Sequence, residues 1–134
     1  MRAILDTNVF LSGVFFSGPP SQILEAWRDG RLHMVISQEI LDEYMRVAKI
    51  LSVQFPAIDI LSIIELVTVE AEIFPSYTLP EPVCDDPDDD KFLACAIAGK
   101  CKFIISGDKH LLQVSGFKEI NIIKPRNFVD TYLG

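Results

Sequence analysis

Apolar residues gather into four short runs with no polar alternation: AIL at 3–5, MVI at 34–36, FII at 103–105 and NII at 121–123. Strands covered on both faces read this way, because neither side of the pleat meets water. The pattern predicts strands over residues 2–6, 32–36, 102–106 and 120–123. Between them, apolar positions recur at helical spacing. Residues 21–27 follow Pro19-Pro20 and suit a helix capped by Ser21, and Ser37 is placed to cap a helix over residues 38–51. Pro56 opens a further helical stretch in which Ile60, Ile63, Ile64, Val67 and Ala71 share a face. The Pro-containing segment FPSYTLPEPV then leads into an acidic run. Pro87 fits the first turn of a helix that Gly99 stops, KHLLQV reads as a short helix, and residues 127–133 as a terminal one.

Strands alternating with helices predict an α/β fold, a three-layer α/β/α sandwich around a mainly parallel central sheet. The length of 134 residues suits one domain spanning 1–134, with a core of its own. In such folds, sites form beyond the carboxyl ends of strands, where strand order reverses. Asp6 and Asp108 each stand at such an end.

Composition first points away from nucleic acid. Nineteen acids face 12 Lys and Arg, for a net charge of −7, and phosphate binding relies on basic surface. Setting aside Asp6, Glu43, Asp86, Asp89, Asp90 and Asp108 leaves 13 acids against 12 bases, so the acidity is local. If that cluster holds divalent cations, the apparent repulsion of phosphate is misleading. Three cysteines with no C-x-x-C pair suit reduced thiols in a cytoplasmic protein. Two distant histidines make a zinc site a poor explanation, and no apolar stretch is long enough to span a membrane. The opening MRAILDTNVF lacks the apolar core of a signal peptide.

Four acids stand in surroundings that need an explanation. Asp6 is flanked by apolar residues, where an unpaired carboxylate is costly; an Asx-turn or helix cap would also satisfy it. Glu43 lies at the margin of an apolar helix face, where a side chain can reach water. In CDDPDDDKFLACAIAG, Asp86 is a natural cap before Pro87, whereas Asp89 stacks with Leu93 and Ala96 or Ile97 on the face that packs inward. Asp85 and Asp88 are expected in solvent, Lys91 points away, and Asp90 is unassigned. Asp108, at a strand end and a helix start, is explained by capping as well.

Each acid has an ordinary explanation alone. Together they converge, because parallel topology brings two strand ends and two helix starts toward one crevice. Carboxylates gathered without cations repel and shift their pKa values upward, and a hard divalent ion such as Mg²⁺ or Mn²⁺ relieves this. The acidic run does not fit an EF-hand loop, since Lys91 and Ile97 fall where Gly and Glu are needed. No Walker A motif, G-x-S-x-G or Cys–His arrangement is present. A receiver domain lacks its acceptor Asp after LHMVIS, and a D-x-D phosphatase meets Asn8 where its second Asp belongs. Metal-assisted phosphodiester hydrolysis is the chemistry an all-carboxylate site serves best.

The chain resembles the PIN domain family, of the small kind similar to VapC-type toxin ribonucleases. The resemblance rests on ILDTNVFLSG, the S-x-E-I-L-x-E-Y helix, DPDDDKFLACAIAGK and FIISGDKHLL, and runs over essentially the whole chain. It implies a PIN-like, Rossmann-like fold and a Mg²⁺- or Mn²⁺-dependent endoribonuclease. Its acids would be Asp6, Glu43, Asp89 and Asp108, with Asp86 as a further ligand or supporting acid and Asp90 a weaker candidate. Thr7, Asn8 and Ser106 would supply the polar groups around them. It further implies an RNA substrate, an antitoxin partner and a homodimer or higher homo-oligomer. The alternative from another class is a non-catalytic PIN-like module that binds RNA or protein. Arg28, Arg31, Arg46, Lys49, Lys109 and Arg126 are scattered, so no basic stripe names the RNA.

Overall fold

A computed structural model describes residues 1–134. Its centre is a five-stranded sheet in the order β3-β2-β1-β4-β5, with every neighbouring pair parallel. The strands are β1 (Arg2–Leu5), β2 (His33–Ser37), β3 (Glu72–Phe74), β4 (Phe103–Ile105) and β5 (Asn121–Ile123). The helices are α1 (Thr7–Phe15), α2 (Pro19–Arg28), α3 (Gln38–Gln54), α4 (Ile60–Glu70), α5 (Asp90–Ala98), α6 (Lys109–Leu112) and α7 (Pro125–Phe128). This is the α/β arrangement with a parallel central sheet that the apolar runs predict, in the PIN-like, Rossmann-like form that the resemblance implies. Successive residues Ala3, Ile4 and Leu5 are all fully buried, so β1 is covered on both faces.

Several element boundaries differ from the sequence expectation. Helix α2 begins at Pro19 with Gly18 before it, and Ser21 does not cap it. Proline supplies no N–H that needs a cap, so the first turn can start on the proline pair itself. Helix α4 begins at Ile60 rather than near Pro56, because Asp59 accepts the Ser62 N–H at 3.3 Å and its hydroxyl at 2.7 Å. The terminal helix divides into α7 and a wider π-type turn over Val129–Leu133. Strand β3 and helix α1 were not foreseen. Helix α1 has only nine residues and buries Val9, Phe10, Leu11 and Phe15, so its polar edge of Asn8 and Ser12 is too short for periodicity to detect.

Two contacts fix the layers around the site. Tyr44 of α3 stacks on Phe10 of α1, with ring centroids 4.3 Å apart and planes 6° apart, and its hydroxyl donates to the Leu5 carbonyl. Gly13 lets α1 approach α2, since a Cβ there would lie 2.7 Å from the Pro20 carbonyl oxygen and 2.8 Å from Leu24. The sheet order reverses between β1 and β4, so their carboxyl ends form the crevice of this fold.

Candidate active site

The register pairs Leu5 with Ile105, which brings Asp6 and Ser106 level at the carboxyl edge. The Asp6 N–H continues the ladder by donating to the Ile105 carbonyl at 3.1 Å. One Asp6 carboxylate oxygen caps α1, accepting the Val9 N–H at 2.8 Å, and the other accepts the Ser106 hydroxyl. The same Ser106 oxygen accepts the Asp108 N–H at 2.9 Å. Asp108 in turn caps α6 through the His110 N–H at 2.7 Å. Asp6, Ser106 and Asp108 are thus one hydrogen-bonded chain. Asp6 and Asp108 line a cleft of about 340 Å³ with Asn8, Ser12 and Gly107, and Asn8 is exposed at its lip.

The five aspartates of the acidic run separate into different roles. Asp86 opens a tight turn over Pro87–Asp89, accepting the Asp88 N–H at 3.0 Å. Asp89 is only 9% exposed, and its Oδ2 is buried with no hydrogen-bond partner. Asp90 is half-buried and does not line the cleft. It accepts the Val83 N–H at 3.2 Å and the Cys84 N–H at 2.8 Å, fastening the preceding loop to α5. Asp85 is exposed, 4.0 Å from His110 Nδ1.

Lys91 corrects the sequence reading most sharply. It was expected to point away, yet its side chain is 4% exposed and its Nζ lies 2.8 Å from Glu43 Oε1. It also reaches Asp88 Oδ2 at 2.9 Å and the Asp88 carbonyl at 2.8 Å, so Asp88 is tied to Lys91 as well as facing solvent. The other Glu43 oxygen accepts the Thr7 hydroxyl, and Arg46 stands 3.7 Å from Oε1. A lysine in the first turn of an otherwise apolar helix, DKFLACAIA, was the one signal available for this pair.

The electrostatics bind these acids into one group. Asp6 is pushed up to about 6, first by burial and then by the charges of Asp108 and Glu43, against the hydrogen bonds from Ser106 and Val9. Asp89 is also pushed up to about 6, first by burial and then by Asp108 and Asp86. Asp108 therefore acts on both. A carboxylate raised in this way is one whose charged form is disfavoured, here by burial first and by neighbouring acids second.

A sequence model of the PIN domain matches residues 2–110 of the 134. The chain belongs to the PIN domain family. The matched stretch runs from β1 into α6 and contains Asp6, Glu43, Asp86, Asp89 and Asp108. No curated protein matches the chain. PIN domains have a nuclease-type fold and typically depend on divalent metal ions.

The donors in this PIN domain suit such an ion in kind: they are all carboxylate oxygens, and Asp89 Oδ2 is a buried acceptor without a partner. No three His, Cys, Asp or Glu side chains are yet gathered closely enough to hold one. Both Asp6 oxygens are engaged by the protein, as are both Glu43 oxygens. Asp89 and Asp108 keep an oxygen free of any protein partner. The three cysteines are unpaired and buried, and burial raises their thiol pKa values, so none is a reactive thiolate. No helix is long and apolar enough to cross a membrane.

Proposed function

We propose that this PIN domain is a Mg²⁺- or Mn²⁺-dependent endoribonuclease, the toxin of a toxin–antitoxin pair acting in the cytoplasm. The observation that carries the nuclease reading is Asp89, a carboxylate nine-tenths buried, with an unpartnered oxygen and a pKa raised first by burial and then by its acidic neighbours. A divalent ion held by Asp6, Asp89 and Asp108, with Asp86 in support, would supply the positive charge that the acids lack and that a phosphodiester needs in its transition state. The chain's own part is to hold those acids rigid. Ser106 orients Asp6 and Asp108 together, Thr7 and the Lys91 ammonium fix Glu43, and Asn8 presents an amide at the lip of the cleft. Hydrolysis breaks the bond from phosphorus to the 3′ oxygen while the water oxygen bonds to phosphorus, and a proton from that water ends on the departing 3′ oxygen. The products then carry a 3′-hydroxyl and a 5′-phosphate.

The test is cleavage of 5′-labelled RNA with Mn²⁺ by the wild type, Asp6→Asn and Asp89→Asn. Cleavage by the wild type alone supports the reading; equal rates for all three refute it. The toxin role rests on the family and predicts growth arrest on expression, relieved by the product of an adjacent small gene. A homodimer is consistent with apolar side chains left exposed on α3 and α4, Val53 at 82% and Leu61 at 62%. One observation favours the non-catalytic RNA- or protein-binding reading, namely that no three acids are gathered as the site stands. RNA binding without cleavage under any divalent metal would decide for it.

A further inference from the structure

The acids named for the site are not treated alike by the protein. Asp89 has a buried oxygen with nothing to meet it, whereas Glu43 has both oxygens occupied, one by Lys91 and one by Thr7. Lys91 itself is fully committed. Its ammonium has three partners, Glu43 Oε1 at 2.8 Å, Asp88 Oδ2 at 2.9 Å and the Asp88 carbonyl at 2.8 Å, and its side chain is 4% exposed. Three donors spent on three acceptors fix the charge in place. A second cation approaching Glu43 would meet a like charge already bonded there, at short range and out of water.

We infer that Lys91 is a built-in cation taking the place of a second metal ion, so that this PIN domain binds a single divalent ion on the side of Asp6, Asp89 and Asp108. This rests on the metal-dependent reading proposed above. Glu43 then acts as a positioning residue. Through Thr7, it ties α3 to the first turn of α1, the same turn that Asp6 caps. The chain Lys91–Glu43–Thr7 joins α5, α3 and α1 around the cleft without using a metal.

The test is Mn²⁺ titration of the full chain by calorimetry, with melting curves alongside. The wild type is expected to take one Mn²⁺, and K91R, which keeps the charge, also one. K91M strips Glu43 of its cation. It is expected to melt lower without metal and to take a second, weaker Mn²⁺ that restores the loss. K91Q, which keeps a donor for Glu43 and Asp88 but loses the charge, is expected to take the second ion as well; it decides the matter if K91M does not fold, since a folded K91Q with one ion overturns the inference. The double variant E43Q/K91M, with both charges gone, is expected to fold and return to one Mn²⁺. Two ions on the wild type overturn the inference and leave the nuclease reading standing. A folded K91M that still takes one ion, or a folded double variant that takes none, also overturns it. A wild type that takes no Mn²⁺ overturns both readings together.

Discussion

Replacing Asp89 by Asn should make the metal-free protein more stable while abolishing the proposed nuclease activity. Asp89 has its pKa raised from 3.8 to about 6, by burial and by the charges of Asp108 and Asp86. A carboxyl whose pKa is higher in the folded than in the unfolded chain contributes most below the unfolded value, and that contribution is lost as pH rises through the folded one. The window here is pH 4 to 6. A shift of about two units corresponds to roughly 3 kcal/mol lost by pH 7.5. Asn has nearly the same shape and carries no charge, so it escapes this loss. Allowing for the hydrogen bonds its amide must find, a gain of about 1–3 kcal/mol is expected, or roughly 4–12 °C in Tm for a chain of this size. The assay is thermal unfolding in EDTA at pH 7.5 and pH 4. The gain should be large at the first and close to zero at the second, where the wild type is itself mostly protonated at this position. Adding Mn²⁺ at pH 7.5 should raise the wild-type Tm by mass action and leave the variant unmoved. A variant that melts lower at pH 7.5, or equally higher at both pH values, would refute the reasoning.

Ser106→Ala removes the hydroxyl shared by Asp6 and the Asp108 N–H. The Asp6 pKa should rise further, since that bond lowers it, and NMR titration of the metal-free protein reads the change. Tyr44→Phe keeps the stack on Phe10 but leaves the Leu5 carbonyl without its hydroxyl donor. It should cost about 1–2 kcal/mol, seen as a lower urea midpoint with an unchanged m value. Gly13→Ala forces a methyl to within 2.7 Å of the Pro20 carbonyl oxygen. Overpacking of α1 on α2 should cost about 1–3 kcal/mol by the same measurement.

The sheet was legible because its central strands are buried on both faces, which leaves unbroken apolar runs around Ile4, Val35 and Ile104. Strand β3 escaped notice because it is a three-residue edge strand whose Glu72 and Ile73 stay exposed. Helix α1 escaped because it is short and its polar edge is only Asn8 and Ser12. Asp89 could be picked from five aspartates because helical spacing aligned it with Leu93, and it is the one buried most deeply among them. Lys91 was misread because a helical wheel assigns lysine to water. Only the fold brings Glu43 of α3 within 2.8 Å of it, across 48 positions of chain. Asp90 could not be placed by spacing either, since its partners are backbone N–H groups of the loop at Val83 and Cys84. Pairings between distant segments carry no local pattern, and the site depends on them.

The most direct test of the central claim is an anomalous difference map from a crystal of the wild-type protein grown with Mn²⁺. The account predicts one Mn²⁺ peak bonded to Asp89 and Asp108 at the carboxyl ends of β1 and β4, with Lys91 still paired to Glu43. No peak there at saturating Mn²⁺, or a peak seated on Glu43 with Lys91 displaced, would contradict it.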